Sequence, residues 1–104
     1  MYKGALSSGS KIVVTLQSNG GNRGSALLAI AYEKSGGGGN SDSDTVAPGG
    51  SGDVTSKVDG PGWLRILVDM NSDADTGRLT VAENGAPVTA EAIKGDTTWT
   101  YTVV

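Results

Sequence analysis

Oxygen-bearing side chains crowd one short stretch of this chain. Asp69, Asn71, Asp73 and Asp75 recur at every second position, and Gly77 closes the run. A hard cation such as Ca²⁺ takes about six to eight oxygen ligands, and a loop that presents oxygen at alternate positions can wrap one. The order Asp-x-Asn-x-Asp follows the first half of a helix–loop–helix calcium site. It then departs, because Ala74 stands where that motif needs glycine and Thr80 where it needs glutamate. Two readings stay open for Asp69, Asn71, Asp73 and Asp75. They are a Ca²⁺ site of a β-loop kind, or a plain turn whose side chains hydrogen-bond to nearby backbone. A second constellation is Trp63 with Arg65. Spaced two apart on a strand, they share a face, where the indole offers flat apolar area and the guanidinium can stack or hydrogen-bond beside it. That is a platform for a sugar or another small ligand, unless the indole folds over the edge of the protein as buried tryptophans do.

Catalysis finds no support in the residue inventory. The chain has neither histidine nor cysteine. This removes the commonest general base, the Ser-His and Cys-His pairs, thiolate and imidazole metal sites, and any disulfide framework. No Gly-x-Ser-x-Gly elbow and no Gly-x-x-x-x-Gly-Lys-Ser/Thr phosphate loop occurs. A carboxylate pair for glycoside hydrolysis is conceivable among the 11 acids. A chain this short leaves little room for a substrate cleft around such a pair, so no enzyme is expected.

The elements that must position these residues are strands. One domain fits 104 residues, and 17 glycines with no phenylalanine, many Ser and Thr, and short Val/Ile/Thr runs describe turns and strands more than helices. The basic residues are scattered singly under a net charge of −3, which argues against nucleic acid. No apolar run approaches the ~20 residues of a membrane helix, so no membrane insertion is expected. The N-terminus lacks the apolar core of a signal peptide, so the chain is expected to be intracellular, mature or an excised domain.

Alternation assigns faces along the chain. Tyr2 to Leu6 reads as an edge strand. Ile12, Val14 and Leu16 line one face of the next run, and Ala26, Leu28, Ile30 and Tyr32 line one face of the run Ser25–Glu33. Residues 35–52 are low in complexity and rich in Gly, Ser and Asp, and so are expected to form a flexible loop, since they offer little apolar surface against the entropy of ordering. Asp53 to Val58 reads as a short strand. Residues 60–81 read as a central β-hairpin with a carboxylate-rich tip, in which Leu64, Ile66, Val68 and Met70 face in, as do Leu79 and Val81. Asn84-Gly85 is a strong two-residue hairpin signal, pairing 77–83 with 86–93. A last strand alternates Trp99, Tyr101 and Val103 against threonines. Outward-facing Val13, Leu27, Ala29, Ala31, Leu67 and Ala82 form a second apolar set, which would be an interface if they share a sheet. The expectation is an all-β, single-domain β-sandwich or jelly roll of seven or eight mostly antiparallel strands over 1–104.

The order of features resembles the bacterial pre-peptidase C-terminal type of β-sandwich. The strand Ile12 to Leu16 leads through a Gly-rich loop into Ala26 to Tyr32. Pro61-Gly62-Trp63 then opens the strand to Val68, and Thr76-Gly-Arg-Leu-Thr-Val81 closes the pattern, covering about residues 5 to 83. Ser25-Ala26-Leu27-Leu28 stands where that family carries an Asp-Ala-Asp-Leu-Tyr-like segment. The resemblance implies a non-catalytic accessory module of a secreted protein. Together these readings favour a non-catalytic binding or assembly module, accessory or homo-oligomeric, and stabilised by a cation if the acidic loop holds Ca²⁺. The alternative is a lectin-like domain that binds carbohydrate or a small ligand at Trp63 and Arg65.

Overall fold

Buried and exposed residues alternate strictly along Gly62–Asp69 in the computed structural model, which describes residues 1–104. The same alternation runs through Ser10–Ser18 and Ala26–Lys34. Strands with one apolar face bury it against a second sheet. The chain forms nine strands: β1 Tyr2–Leu6, β2 Ser10–Ser18, β3 Ala26–Lys34, β4 Gly39–Val46, β5 Ser51–Val58, β6 Gly62–Asp69, β7 Thr76–Glu83, β8 Ala86–Lys94 and β9 Thr97–Val103. They form a five-stranded sheet in the order β1-β9-β6-β3-β4 and a four-stranded sheet in the order β5-β2-β7-β8. All pairings are antiparallel except β1 with β9. The chain is an all-β sandwich around one core of 21 buried apolar residues. The assigned faces agree with it: Ile12, Val14, Leu16, Leu28, Leu64, Ile66, Val68, Leu79 and Val81 are at 0 % exposure and Ile30, Trp99 and Tyr101 at 1 %.

Two expectations need correcting. Residues 35–52 are not one loop: β4 occupies Gly39–Val46, and β5 begins at Ser51. This is the strand beyond the expected seven or eight. Apolar burial contributes little to it, since Val46 is its one buried residue. Backbone pairing holds it instead, in register from Ala26↔Val46 to Glu33↔Gly39. Its polar side chains also reach across to the free edge of β5. Asp42 Oδ2 accepts from Thr55 N at 3.0 Å, Asn40 Nδ2 donates to Lys57 O at 2.9 Å, and Ser56 Oγ donates to Asn40 Oδ1 at 2.6 Å. A segment rich in Asn and Asp thereby closes the sandwich along one side and shields two edges that would otherwise invite pairing.

Residues 60–81 are not a hairpin either. β6 lies in the five-stranded sheet and β7 in the four-stranded one, so the acidic segment between them crosses from sheet to sheet. The connections that do form hairpins are β3–β4 and β7–β8. In the latter, Asn84 (φ 50°) and Gly85 (φ 85°) adopt the left-handed conformations that a type I′ turn demands.

The opposite side of the sandwich is closed by polar contacts between β8 and the β1/β9 edge. Lys3 Nζ lies 2.6 Å from Glu91 Oε2 and 4.4 Å from the centre of the Trp99 ring, and the Tyr101 and Thr89 hydroxyls are 2.7 Å apart. Tyr32 plays a similar part at the β5–β6 corner, donating its hydroxyl to Gly60 O and accepting from Gly60 N.

Face assignment carries a direct consequence for stability. Ile66→Ala removes a fully buried side chain and should cost roughly 2–5 kcal/mol in denaturant unfolding, whereas Arg65→Ala on the exposed face should change stability by less than about 0.5 kcal/mol. Equal losses would contradict the one-sided burial of β6. A second consequence concerns alkaline pH. Burial pushes the Tyr101 phenol above its ordinary value, with the Thr89 hydrogen bond opposing that shift. An acid whose folded pKa is raised contributes stability that is complete below its unfolded value near ~10 and is lost as pH rises through the folded value. The unfolding free energy should therefore fall with pH above about 10, and Tyr101→Phe should flatten that slope.

Candidate functional site

Trp63 and Arg65 lie on the outer face of the five-stranded sheet, at the centre of its strand order. Registers fix their neighbours. Trp63 stands between Thr102 of β9 and Glu33 of β3, Arg65 between Thr100 and Ala31, Leu67 between Thr98 and Ala29, and Asp69 beside Leu27. Trp63 is 50 % exposed, Leu27 and Leu67 each 40 %, and Tyr2 of β1 68 %. The indole is thus a surface group and not an edge packer; the buried tryptophan is Trp99. Tyr2 joins the same face, since Thr102 Oγ1 donates to its hydroxyl at 3.1 Å. The face carries an apolar strip of Trp63, Leu67 and Leu27 with the small Ala29 and Ala31, bordered by the β9 threonines and by Arg65, Glu33 and Asp69. The outward apolar set named from sequence divides between the sheets. Leu27, Ala29, Ala31 and Leu67 share this face, while Val13 and Ala82 pair with each other on the outer side of the four-stranded sheet.

The acidic segment is arranged differently from a wrapped cation site. No group of three or more acidic side chains gathers where it could hold a metal ion. Asp69 and Asn71 border a shallow depression of about 390 Å³ with Ser25, Leu27 and Thr45. Asn71 lies against Gly24, whose β-carbon, if it had one, would come 2.6 Å from Asn71 Cγ. Asp73 is exposed. Asp75 turns inward: it is 2 % exposed, its Oδ1 accepts from Arg23 N at 2.8 Å, and its Oδ2 is buried without a protein partner. Successive residues of this crossover serve different neighbours: Asn71 lies against Gly24 and Asp75 against Arg23 N.

What the acid and amide groups do at this end is replace backbone partners. Asn22, on the turn between β2 and β3, accepts from Thr76 N at 2.9 Å and donates to Thr76 O and Ser18 Oγ, each at 2.8 Å. Asp96 Oδ1 accepts from Met70 N at 2.8 Å, and Gly95 N donates to Asp75 O at 2.9 Å. Three crossovers, β2–β3, β6–β7 and β8–β9, are knitted together in this way. Such hydrogen bonds satisfy backbone groups that no strand can pair.

Reasoning from sequence missed Tyr2 and the threonines as members of the Trp63 face. The threonine spacing was visible, but its position beside β6 depends on a pairing that joins residues far apart in the chain. No protein-family model matches the chain, and no match was found among curated proteins or solved structures. The geometry therefore stands alone as the guide to function.

Replacing Asn22 by alanine removes two contacts to one backbone unit and should cost about 1–3 kcal/mol, while Asp73→Ala should stay within about 0.5 kcal/mol. Chemical denaturation of both variants separates the two. A larger loss at Asp73 would mean that the carboxylates, and not the amide, hold this end together.

Proposed function

We propose that this chain is a non-catalytic β-sandwich module that acts by contact, associating with a second copy of itself through the outer face of the five-stranded sheet. The observation that carries the reading is the gathering of Tyr2, Leu27, Trp63 and Leu67, all large and exposed, on that one face. Contiguous exposed apolar area with a polar rim is the usual mark of an interface, and aromatic residues with arginine are its usual anchors. Strands of these lengths, spaced about 4.8 Å apart, present a face of roughly 600 Å² in projection. That is of the order of the ~800 Å² that each partner buries in a stable complex. Arg65 lies on the same face as Glu33 and Asp69, so a two-fold arrangement can set the cation of one copy against an acid of the other. An appended accessory role, as the pre-peptidase C-terminal resemblance implies, is compatible with such a contact surface.

One observation favours a second reading, a lectin-like platform. The exposed Trp63 ring is surrounded by hydrogen-bonding groups from Arg65, Thr100, Thr102 and Tyr2, the pairing of flat apolar area with polar groups that sugars need.

Sedimentation and light scattering distinguish the two. A self-associating module should show about twice the 10.4 kDa monomer mass at micromolar concentration. Trp63→Ser and Leu67→Ser should each weaken association at least tenfold, the effect of losing about 1.4 kcal/mol at an interface anchor. A monomer at all concentrations whose tryptophan fluorescence shifts on adding a neutral sugar supports the lectin-like reading instead. A monomer without that response overturns both.

A further inference from the structure

The outer side of the four-stranded sheet differs in charge from the rest of the molecule. The chain as a whole carries a net −3. On this side, however, the outward positions hold Lys11, Lys57, Arg78 and Lys94, with Asp53 as the one acid. At one end, where β2, β7 and β8 run side by side, lies a groove of about 500 Å³ lined by Gln17, Asn19, Thr76, Arg78, Ile93 and Lys94, among others. No acidic residue lines it.

Register explains both the groove and its charge. Arg78 is opposite Gln17 on one side and Ala92 on the other, and Thr76 is opposite Lys94. Arg78 and Lys94 are therefore diagonal neighbours across β7 and β8, about 7–8 Å apart at their origins, near enough for both long side chains to reach a common point. The small Thr76, Gly77 and Ala92 between them keep the floor low. Neither cation has a carboxylate partner, for the chain's ion pairs are Lys3–Glu91 and Lys34–Asp59. Two unpaired like charges at this spacing repel each other, and an oxyanion between them relieves the repulsion. The guanidinium can grip a carboxylate through two parallel hydrogen bonds, with the ammonium as a second point charge.

The remaining lining selects the body that carries the anion. Asn19 accepts from Gly21 N at 3.0 Å through Oδ1, which leaves its NH₂ free, and Gln17 uses Nε2 toward Gly50 O at 3.4 Å, which leaves Oε1 as an acceptor. With the Thr76 hydroxyl these give donors and acceptors along the rim, while the exposed methyl of Ala92 contributes aliphatic surface. A pyranose ring carrying a carboxylate matches this arrangement. Its C–H face fits the aliphatic surface, its hydroxyls the amides and Thr76, and its acid Arg78 and Lys94. We propose that this groove binds an acidic sugar, a site separate from the Trp63 face and on the opposite sheet. The groove lies within the ~300–1,000 Å³ range of small-ligand sites but is open, so a single uronate should bind with a dissociation constant on the order of 1 mM.

The test is an amide chemical-shift titration of the whole chain with glucuronate, glucose and inorganic sulfate in parallel. Glucuronate should move the amides of residues 17–19, 76–78 and 92–94 saturably, and glucose should not. Raising the ionic strength tenfold should weaken binding several-fold, because the recognition is charge-led at an exposed site. Arg78→Gln should weaken it at least fivefold and Arg78→Lys less, with Lys94→Gln as an independent second variant. Both side chains are exposed, and neither variant should change the mass of the protein in solution, which separates this site from self-association through the other sheet. The proposal is overturned if glucuronate gives no saturable shift in the groove or glucose gives the same one. It is equally overturned if sulfate binds as tightly as glucuronate, or if both Gln variants bind undiminished.

Discussion

Leu64, Ile66 and Val68, on the middle strand of the larger sheet, are wholly buried, and the rest of the sandwich is arranged around that row. Side chains on a strand alternate with a period of two, so shifting β6 by one residue against β3 or β9 would turn Arg65 and Asp69 into the core and this row into water. Register is therefore specified strongly at the centre. From β6 it passes to both neighbours, aligning Ile30 with Ile66 and Ile66 with Trp99. The facing sheet supplies Ile12, Val14, Leu16, Leu79 and Val81 to the same dry layer. With no disulfide to constrain the chain, this burial is the chief favourable term available to it.

A sandwich has edges, and here they are managed by different chemistry on the two sides. The β4/β5 side uses short polar side chains as substitutes for backbone partners, so that Asn40 and Asp42 occupy the groups along the rim of β5. The β1/β8 side uses a charge pair stacked on an indole and a pair of hydroxyls. Glu91 on β8 faces toward the interior side, and Pro87 lies near the start of that strand. Both are features that discourage another strand from pairing with a free edge. Edge-to-edge joining is thus guarded on both sides.

The outer faces of the two sheets differ in charge. The larger sheet shows aromatic and aliphatic area around one arginine, while the smaller shows four cations among polar and small apolar residues such as Val13, Ala82 and Ala92. Because outward residues are free of the packing constraint that fixes inward ones, their composition is where a β-sandwich differentiates itself. The acidic crossover has a structural part in this scheme. Its side chains, with Asn22 and Asp96, tie three connections into a rigid end, the end at which the smaller sheet's groove is formed.

Sequence alone determined the all-β class, the inward row of nearly every strand, the Asn84-Gly85 hairpin and the outward position of Trp63 and Arg65. Each of these follows from local rules, the period of two and the φ demands of a turn, which nearby residues satisfy among themselves. What only the tertiary structure decided was which strands pair. β4 could not be recognised because its stability comes from backbone pairing with β3 and from Asn and Asp side chains hydrogen-bonded to the edge of β5, and not from apolar burial. The β6–β7 segment looked like a hairpin because a turn between two alternating strands has the same local pattern whether the second strand returns beside the first or crosses to the other sheet. That choice fixed which side chains meet on each face. It left Asp69 and Asn71 at one depression and turned Asp75 inward, brought Tyr2 and the β9 threonines to Trp63, and set Arg78 diagonal to Lys94. Pairing depends on burial summed over the whole chain, and no single stretch of sequence holds that sum.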